Sequence, residues 1–319
     1  MMPRSTLFRA FALACALPAL AAAQVTFSFN YTDSAGNGFY DPTLGAARRG
    51  ALESVGATLA GYFASYSART VTFDVSSYVA NPNGILASAG ADYDTPDNSF
   101  QRGYVQDKIL NNLDNGSAGE GVLIWNFTYA WDYDDSVAAG TYDFKAVALH
   151  EIVHTLGFAS LITGSNGVGA GNGTTYSIFD QFLTDAAGNR LVSTGAAYAG
   201  GTILSNGVSG DVFFSGPAAM AEFGGRVPIY SPASFLAGSS LSHLDTDYFT
   251  SAGYVMEHAV STGPAERTLS ALELAMLTDL GYTITAVPEP ASVAAVAGAL
   301  ALLYARRRRK LAARSASGR

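Results

Sequence analysis

The segment His150–Phe158 constrains the fold of this chain more than any other stretch of its 319 residues. Two histidines four residues apart lie on one face of an α-helix, one turn apart, so His150 and His154 can both reach a single metal ion. Neutral imidazole nitrogens suit Zn²⁺. Because residues 144–149 are largely apolar and Gly157 can adopt a positive φ, the sequence predicts a buried helix that stops just after His154.

Glu151 completes the pattern H-E-x-x-H between these two histidines. In such a motif the glutamate stands beside the metal and takes a proton from a metal-bound water, which makes it the general base of peptide hydrolysis. The alternative is a buried helix whose histidines only pack or form hydrogen bonds. A metal site is the favoured interpretation, because the chain has just four histidines, His150, His154, His243 and His258.

A catalytic zinc takes three protein ligands and keeps one position open. The two helix histidines leave one ligand to be supplied, and we predict that His243 supplies it because histidine is so scarce in this chain. Two alternatives stay open at this point. Residue 243 can be an ordinary core or surface histidine, and the third ligand can be a carboxylate, for which the candidates are Glu222, Glu257 and Asp245.

The N-terminal end has the pattern of a targeting segment rather than of folded structure. Residues 1–23 combine the basic Arg4 and Arg9 with an apolar run and three alanines, which predicts a secretory signal peptide that is cleaved after Ala23. Cys15 is the only cysteine and leaves with this segment. The exported chain is therefore expected to contain no disulfide bond and no cysteine ligand for a metal.

The charge of the chain excludes one class of partner. Nine basic and 25 acidic residues lie between Gln24 and Val287, a formal net charge of −16, whereas the whole sequence carries −8. A strongly acidic exported domain repels nucleic acid and anionic membrane surfaces. We therefore expect no nucleic-acid partner, and the H-E-x-x-H motif instead predicts a protein or peptide substrate.

Hydrophobic patterns ahead of the motif predict a mixture of helices and strands. The predicted elements are strands at 25–31, 69–75 and 121–127, helices at 46–66 and 106–113, and a loop over 81–98. The strand at 121–127 is expected to lie beside the motif helix, for which Asp143 is the candidate N-cap. The acidic segment Trp131–Asp135 offers carboxylates for Ca²⁺, although a solvated acidic loop is the favoured interpretation there.

The region after the motif gives fewer signals. The glycine-rich segment 164–173 predicts a mobile surface loop near the cleft, residues 187–189 predict a turn, and 200–240 predict only short strands and turns without clear bounds. Residues 270–280 predict a last helix. It is expected to begin with a capping box formed by Ser270 and Glu273 and to end at Gly281.

These residues resemble the metzincin-type zinc metallopeptidases, and among them the leishmanolysin-like bacterial group. Many metzincins carry a third histidine six residues after the second, but this chain has Ser160 there. In leishmanolysin-like members a long insertion precedes the third histidine, and 88 residues separate His154 from His243 in this chain. The resemblance spans roughly residues 24–284, and its later parts are Ser242–Asp245, Met256, Arg267–Ser270 and Leu280–Tyr282.

The resemblance implies an α+β fold of the zincin or metzincin type within residues 24–286. A twisted sheet and the active-site helix would lie above a cleft in an N-terminal subdomain, 24–160, and an irregular C-terminal subdomain, 161–286, would lie below it. Met256 would form a Met-turn beneath the metal, with ordinary core packing as the alternative. His258 takes a position where several metzincin groups have a tyrosine near the oxyanion, so it is either an oxyanion donor or an exposed bystander.

The implied function is that of an exported zinc-dependent endopeptidase, in which His150, His154 and His243 hold Zn²⁺ and Glu151 activates the zinc-bound water. A second hypothesis comes from another class of protein. The chain could be a non-catalytic surface or matrix binding protein that retains the zincin fold, although a purely structural zinc site has no use for Glu151 as a general base.

The C-terminal segment 287–319 resembles a PEP-CTERM sorting signal of Gram-negative bacteria. It begins with the Pro-Glu-Pro motif at 288–290, continues with an apolar stretch at 291–305 and ends with the basic residues of 306–319. The resemblance implies transient membrane contact through this tail at the inner membrane and cleavage by a sorting protease. The protein would then reside at the cell surface or in the extracellular matrix. A simple C-terminal membrane anchor is the alternative.

Overall fold

The computed structural model describes residues 25–78, 84–115, 119–249 and 253–285. The predicted signal peptide, Cys15 and the predicted sorting tail lie outside these described residues. Within the described ranges, no helix is both long and apolar enough to cross a membrane.

The described residues form a mixed α/β structure, which is compatible with the predicted α+β class. The strands are β1 (Val25–Tyr31), β2 (Arg69–Ser77), β3 (Ala87–Ala91), β4 (Ser99–Gln101), β5 (Gly121–Trp125), β6 (Trp131–Asp132), β7 (Tyr142–Asp143), β8 (Thr175–Ser177), β9 (Leu183–Thr184), β10 (Val212–Phe214) and β11 (Val227–Ile229). The helices are α1 (Gly45–Ala60), α2 (Tyr104–Asn111), α3 (Phe144–Thr155), α4 (Pro217–Phe223) and α5 (Ala271–Asp279).

A four-stranded sheet with the order β1-β2-β5-β3 organises the first half of the chain. Strands β1, β2 and β5 are parallel, and β3 pairs with β5 in the antiparallel direction at one edge. Alternate side chains of the parallel strands are buried, among them Phe27, Phe73 and Trp125. Helix α1 packs against β1 and against α3, and α3 also packs against the edge strand β3. The sheet therefore places the motif helix next to its edge.

Helix α3 is held at both of its ends. The carboxylate of Asp143 accepts a hydrogen bond from the backbone nitrogen of Ala146 at 3.0 Å, which confirms the predicted N-cap. Arg267 pairs with the same carboxylate through its Nε at 2.8 Å. At the other end, Gly157 has a φ of 92°, and a Cβ there would lie 2.9 Å from the amide oxygen of Gln106. Glycine is required at this turn for both reasons.

Most predicted elements ahead of the motif are present with shifted bounds. The strands predicted at 25–31 and 69–75 correspond to β1 and β2, and the helix predicted at 106–113 is α2. The helix predicted over 46–66 ends at Ala60 and continues as a 3₁₀ turn at Gly61–Phe63. The strand predicted at 121–127 ends at Trp125, and α3 contacts the edge strand β3 more extensively than β5.

The loop predicted over 81–98 is wrong at residues 87–91, where β3 lies. Its sequence, Ala-Ser-Ala-Gly-Ala, has weak intrinsic strand preference, so pairing with β5 rather than local propensity determines its conformation. Helix α4 also falls in a region predicted as short strands and turns. It begins with Pro217 in its first turn and ends at Gly224, whose φ is 82°.

The predictions for turns and for the last helix after the motif agree more closely with the structure. Helix α5 has the predicted capping box between Ser270 and Glu273, and Gly281 follows it with a φ of 105°. The turn predicted at 187–189 is present, with Gly188 donating to the carbonyl of Asp185. The glycine-rich segment 164–173 forms tight turns, and Gly167 lies so close to the ring of Tyr198 that no side chain would fit there. Its predicted mobility stays a prediction.

We expect Asp143→Ala to lower the free energy of unfolding by about 2–4 kcal/mol, because it removes a helix cap and the buried carboxylate partner of the half-buried Arg267. Asp135→Ala is the matched control, since Asp135 also pairs with Arg267 but its side chain is 92% exposed. Urea denaturation of both variants tests this expectation, and equal losses of stability would contradict it.

Candidate metal centre

Three imidazole rings meet at one point in the structure. The Nε2 atom of His154 lies 3.0 Å from that of His150 and 3.1 Å from that of His243, and the third separation, between His150 and His243, is 3.3 Å. Tetrahedral coordination at the usual zinc–nitrogen distance places neighbouring nitrogens about 3.3 Å apart. The separations therefore fit three ligands of one ion. Among the described residues, these three histidines form a group that could hold a metal.

The opposite ring nitrogens fix the tautomer of each histidine. His150 Nδ1 lies 2.6 Å from the carbonyl oxygen of Val255, His154 Nδ1 lies 2.8 Å from that of Phe158, and His243 Nδ1 lies 2.8 Å from that of Ser239. A backbone carbonyl only accepts hydrogen bonds, so each Nδ1 carries the proton and each Nε2 presents a lone pair. Three lone pairs directed at one another are unfavourable unless a cation lies among them.

Burial keeps these imidazoles neutral. It lowers the pKa of His154 to about 3, with His150 as the second cause, and it also lowers the pKa of His150 and that of His243. A metal ligand must be deprotonated at the coordinating nitrogen, and these groups satisfy that condition at neutral pH without competition from protons.

Glu151 is 7% exposed and comes from the same helix as two of the histidines. Burial raises the pKa of its carboxyl group to about 8. A carboxylate desolvated in this way binds a proton more tightly than one in water, and a neighbouring cation would favour its ionised form. The group can therefore exchange a proton near neutral pH, as a general base or acid must.

A cleft of about 910 Å³ runs past the three histidines and Glu151. One wall consists of residues 84–91, which include the whole of the edge strand β3, and α3 contributes the centre. C-terminal segments supply much of the remaining lining, namely residues 237–239, residues 242–243 and most of residues 253–266. The site is thus open to a ligand that lies between the sheet edge and the C-terminal segments.

His243 reaches the site from a loop that three segments hold in place. Its carbonyl oxygen accepts a hydrogen bond from the backbone nitrogen of Tyr230 at 2.8 Å, and the nitrogen of Leu244 donates to the carbonyl of Met256 at 2.8 Å. On the other side, the hydroxyl of Ser242 accepts a hydrogen bond from the backbone nitrogen of Ser160. Tertiary contacts thus bring a residue that is distant in sequence next to the helix.

Met256 is fully buried in a turn that supports His150. Its backbone nitrogen donates to Glu273 Oε1 at 2.7 Å, and the carbonyl of the preceding Val255 accepts the bond from His150 Nδ1. The second carboxylate oxygen of Glu273 accepts from the backbone nitrogen of Ser270 at 2.8 Å. A turn next to a ligand histidine matches what the resemblance implies for Met256, and the Met-turn itself stays a prediction.

His258 lines the same cleft and is half-buried. Its ring stacks on that of Tyr230 with centroids 3.7 Å apart and planes 9° apart, and its Nδ1 lies 2.8 Å from the hydroxyl oxygen of Thr246. These two contacts fix the orientation of the imidazole. His258 faces the cleft beside the cluster of three histidines but does not belong to it.

The carboxylates considered as alternative third ligands lie outside the cluster of three histidines. Glu222 is exposed on α4, Glu257 lines the cleft but accepts a hydrogen bond from the nitrogen of Tyr254, and Asp245 lines a separate pocket of about 250 Å³. None of the three joins the group of histidines. The geometry favours His243 over all of them.

The acidic segment proposed for Ca²⁺ has its carboxylates engaged. Asp132 accepts backbone hydrogen bonds from Asp134 and Ala138, which hold the pKa of its carboxyl group below the usual value, and Asp135 pairs with Lys145 at 2.6 Å. These contacts account for the conformation of the loop without an ion. The calcium site stays a prediction.

Sequence reasoning missed two contributors to this site. Strand β3 consists only of small residues without a clear apolar and polar pattern, so nothing local in the sequence predicted the strand that lines the cleft. Glu273 was assigned only its capping role, although its other oxygen reaches the turn at Met256. The complete burial of Glu273 is a property of the fold, so the sequence pattern alone could not have indicated this second role.

Comparisons of this chain with protein-family models, with curated proteins and with solved structures give no match.

We expect His243→Ala to weaken Zn²⁺ binding by more than about 100-fold, because a missing ligand costs more than a missing supporting hydrogen bond. Competition with a chromophoric chelator measures the affinity. His258→Ala is the control, since it removes a cleft histidine outside the cluster and should leave the affinity nearly unchanged. Zinc binding that survives His243→Ala would eliminate His243 as a ligand.

The raised pKa of Glu151 predicts a pH dependence for the metal-free protein. A carboxyl group whose pKa rises from 4.5 to about 8 on folding stabilises the native state below the lower value, and this contribution disappears as the pH rises through the higher value. Relative to Glu151→Gln, metal-free wild type should therefore lose stability between about pH 5 and pH 8. Chemical denaturation of both proteins across this range tests it, and a constant difference would contradict it.

Proposed function

We propose that this chain is an exported zinc-dependent endopeptidase of the metzincin type, similar to the leishmanolysin-like group. The observation that carries the proposal is the triangle of Nε2 atoms from His150, His154 and His243, with the buried Glu151 beside it on the same helix. Three neutral nitrogen ligands and one acidic group in an open cleft are the parts that hydrolytic zinc chemistry needs.

The edge strand supports a peptide as the substrate. The backbone nitrogen of Asn126 donates to the carbonyl of Leu86, and that of Asp92 donates to Glu120, so even-numbered residues of this strand bond to β5. In an antiparallel pair the alternate residues direct their N–H and C=O groups outward. Among the described residues, the outward backbone groups of Ala87 and Ala89 have no partner strand and line the cleft. An extended peptide can add to such an edge as a further strand.

The small side chains of this strand also suit a peptide. Alanine, serine and glycine fill positions 87–91, so the edge presents backbone without bulky groups that would hold a substrate away. The strand lies along α3, which brings a peptide bound at the edge next to Glu151. Proximity of this kind, between a bound chain and the reacting groups, is a large part of enzymatic rate enhancement.

The metal would supply a Lewis acid that polarises the scissile carbonyl and makes a water molecule more acidic. Glu151 accepts the proton of the attacking water and delivers it to the leaving amine. Desolvation raises the pKa of this carboxyl group to about 8. This favours the proposed role, because a general base works best when its pKa lies near the operating pH. His150, His154 and His243 would be the metal ligands. The hydrogen bonds from their Nδ1–H groups to backbone carbonyls fix the orientation of each ring.

His258 is the proposed oxyanion donor. If the hydroxyl of Thr246 donates to Nδ1, then Nε2 carries the proton and can donate to the negative charge that develops on the carbonyl oxygen. The stack on Tyr230 holds the ring in one orientation, so little reorganisation is needed when the charge develops.

The alternative function, a non-catalytic binding protein with a zincin fold, predicts the same metal and the same cleft. It assigns no role to Glu151, although burial of a carboxyl group in the cleft costs free energy. Export by the N-terminal segment and sorting through the PEP-CTERM-like tail complete the proposal and place the enzyme at the surface or in the matrix of a Gram-negative cell.

We expect Glu151→Ala to reduce kcat for cleavage of an unstructured protein such as casein by at least about 1,000-fold while zinc binding persists, because the general base is lost and the ligands are not. Chelator-sensitive cleavage by the wild type and the zinc content of both proteins are the measurements. Zinc in both proteins with cleavage by neither would favour the binding function.

A further inference from the structure

Ser160 stands where many metzincins carry their third histidine, and in this chain two of its hydrogen bonds reach segments that are distant in sequence. Its backbone nitrogen donates to the hydroxyl oxygen of Ser242 at 3.0 Å. Its own hydroxyl donates to Asp180 Oδ1 at 2.6 Å. The residue thus connects the loop that follows α3 with two segments that come much later in the chain.

Asp180 is the fixed end of this connection. Its side chain is fully buried, and within the described part of the chain it takes part in no ion pair. Its oxygens instead accept hydrogen bonds from the hydroxyl of Ser160, from the backbone nitrogen of Leu161 at 3.0 Å, and from both the nitrogen and the hydroxyl of Ser177 at 2.8 and 3.0 Å. A buried carboxylate with four donors holds those donors in a narrow range of positions.

The other end of the connection is next to a metal ligand. Ser242 is 6% exposed and immediately precedes His243. The bonds that His243 and Leu244 make to Tyr230 and Met256 join the ligand loop to other parts of the C-terminal half. The bond between Ser242 and Ser160 instead joins it to the loop that leaves the motif helix, on which the two other ligands lie.

We propose that Asp180, Ser160 and Ser242 form a positioning relay that holds the loop of His243 against the end of α3 and thereby raises the affinity of the three histidines for a metal. The inference rests on the proposed metal centre. Without the relay, His243 would have to be ordered at the moment of binding, and the cost of that ordering would be subtracted from the affinity. All three are positioning residues, since each acts through His243.

The experiment measures the Zn²⁺ dissociation constant of full-length variants by chelator competition, and the visible absorption spectrum of the Co²⁺-loaded proteins. Ser242→Ala and Asp180→Asn each remove one part of the relay and should weaken zinc binding by about 10-fold or more, as the loss of hydrogen bonds that support ligands generally does. Ser242→Thr keeps the hydroxyl and should restore most of the affinity. The Co²⁺ spectrum of Ser242→Ala should differ from that of the wild type, because the geometry of the third ligand relaxes.

Ser215→Ala is the matched control. The hydroxyl of Ser215 forms a 2.6 Å hydrogen bond with that of Thr184, away from the three histidines, so this variant loses a comparable bond without touching the relay. It should bind zinc as the wild type does. Its thermal stability without metal shows what the loss of one such bond costs.

Each outcome bears on one claim. A wild type that folds and binds no zinc overturns the proposed metal centre, and the relay with it. If the wild type binds zinc but Ser242→Ala stays within twofold of it, the relay is wrong while the metal centre stands. Equal losses of affinity in Ser242→Ala and Ser215→Ala would show a general structural effect and would also overturn the relay. Since Asp180 is fully buried, Asp180→Asn also changes the stability of the protein, and the two Ser242 variants decide the question.

Discussion

The whole site depends on three hydrogen bonds that direct imidazole protons away from one another. Each Nδ1–H group of His150, His154 and His243 donates to a backbone carbonyl, and the three carbonyls belong to three different parts of the chain. Phe158 closes the motif helix, Ser239 lies in the loop of the third histidine, and Val255 precedes the buried methionine. The cluster of three histidines is therefore the place where these segments meet, and it exists only in the fully folded chain.

Contacts throughout the fold fix the helix and the turn that carry or support the three histidines. The sheet fixes α3, because α3 packs against α1 and against the edge strand, and the cap at Asp143 with its partner Arg267 ties the start of the helix to the C-terminal segments. Glu273 does the same for the turn at Met256 from the side of α5. Buried carboxylates thus hold the walls of the cleft together, and each one is offset by several donors rather than left unpaired.

Local sequence signals predicted the parts of the site that local physics determines. The spacing of the two motif histidines, the cap at Asp143 and the positive φ of Gly157 follow from helix geometry and backbone sterics, so they could be identified without the structure. His243 was selected because histidine is scarce, and the structure places it in the cluster. The strands predicted at 25–31, 69–75 and 121–127 are also present with adjusted ends, since alternating apolar residues mark the first two and a continuous apolar run marks the third.

The sequence alone could not predict the features that depend on partners distant in the chain. Strand β3 is a strand because β5 pairs with it, and its own small residues favour no particular conformation. Likewise, nothing near Ser160 indicates that it bonds to residues 20 and 82 positions later. These long-range contacts shape the cleft and hold His243 in the cluster, so the motif could suggest a function but could not predict how the site is assembled.

The most direct test of the central claim is X-ray absorption spectroscopy at the zinc edge of the zinc-loaded protein. The account predicts one zinc per chain with three imidazole nitrogens at about 2.0–2.1 Å and one oxygen ligand from solvent. A fourth protein ligand would indicate a closed structural site and contradict the catalytic interpretation. Failure of the folded protein to retain zinc at all would contradict the reading of His150, His154 and His243 as a metal centre.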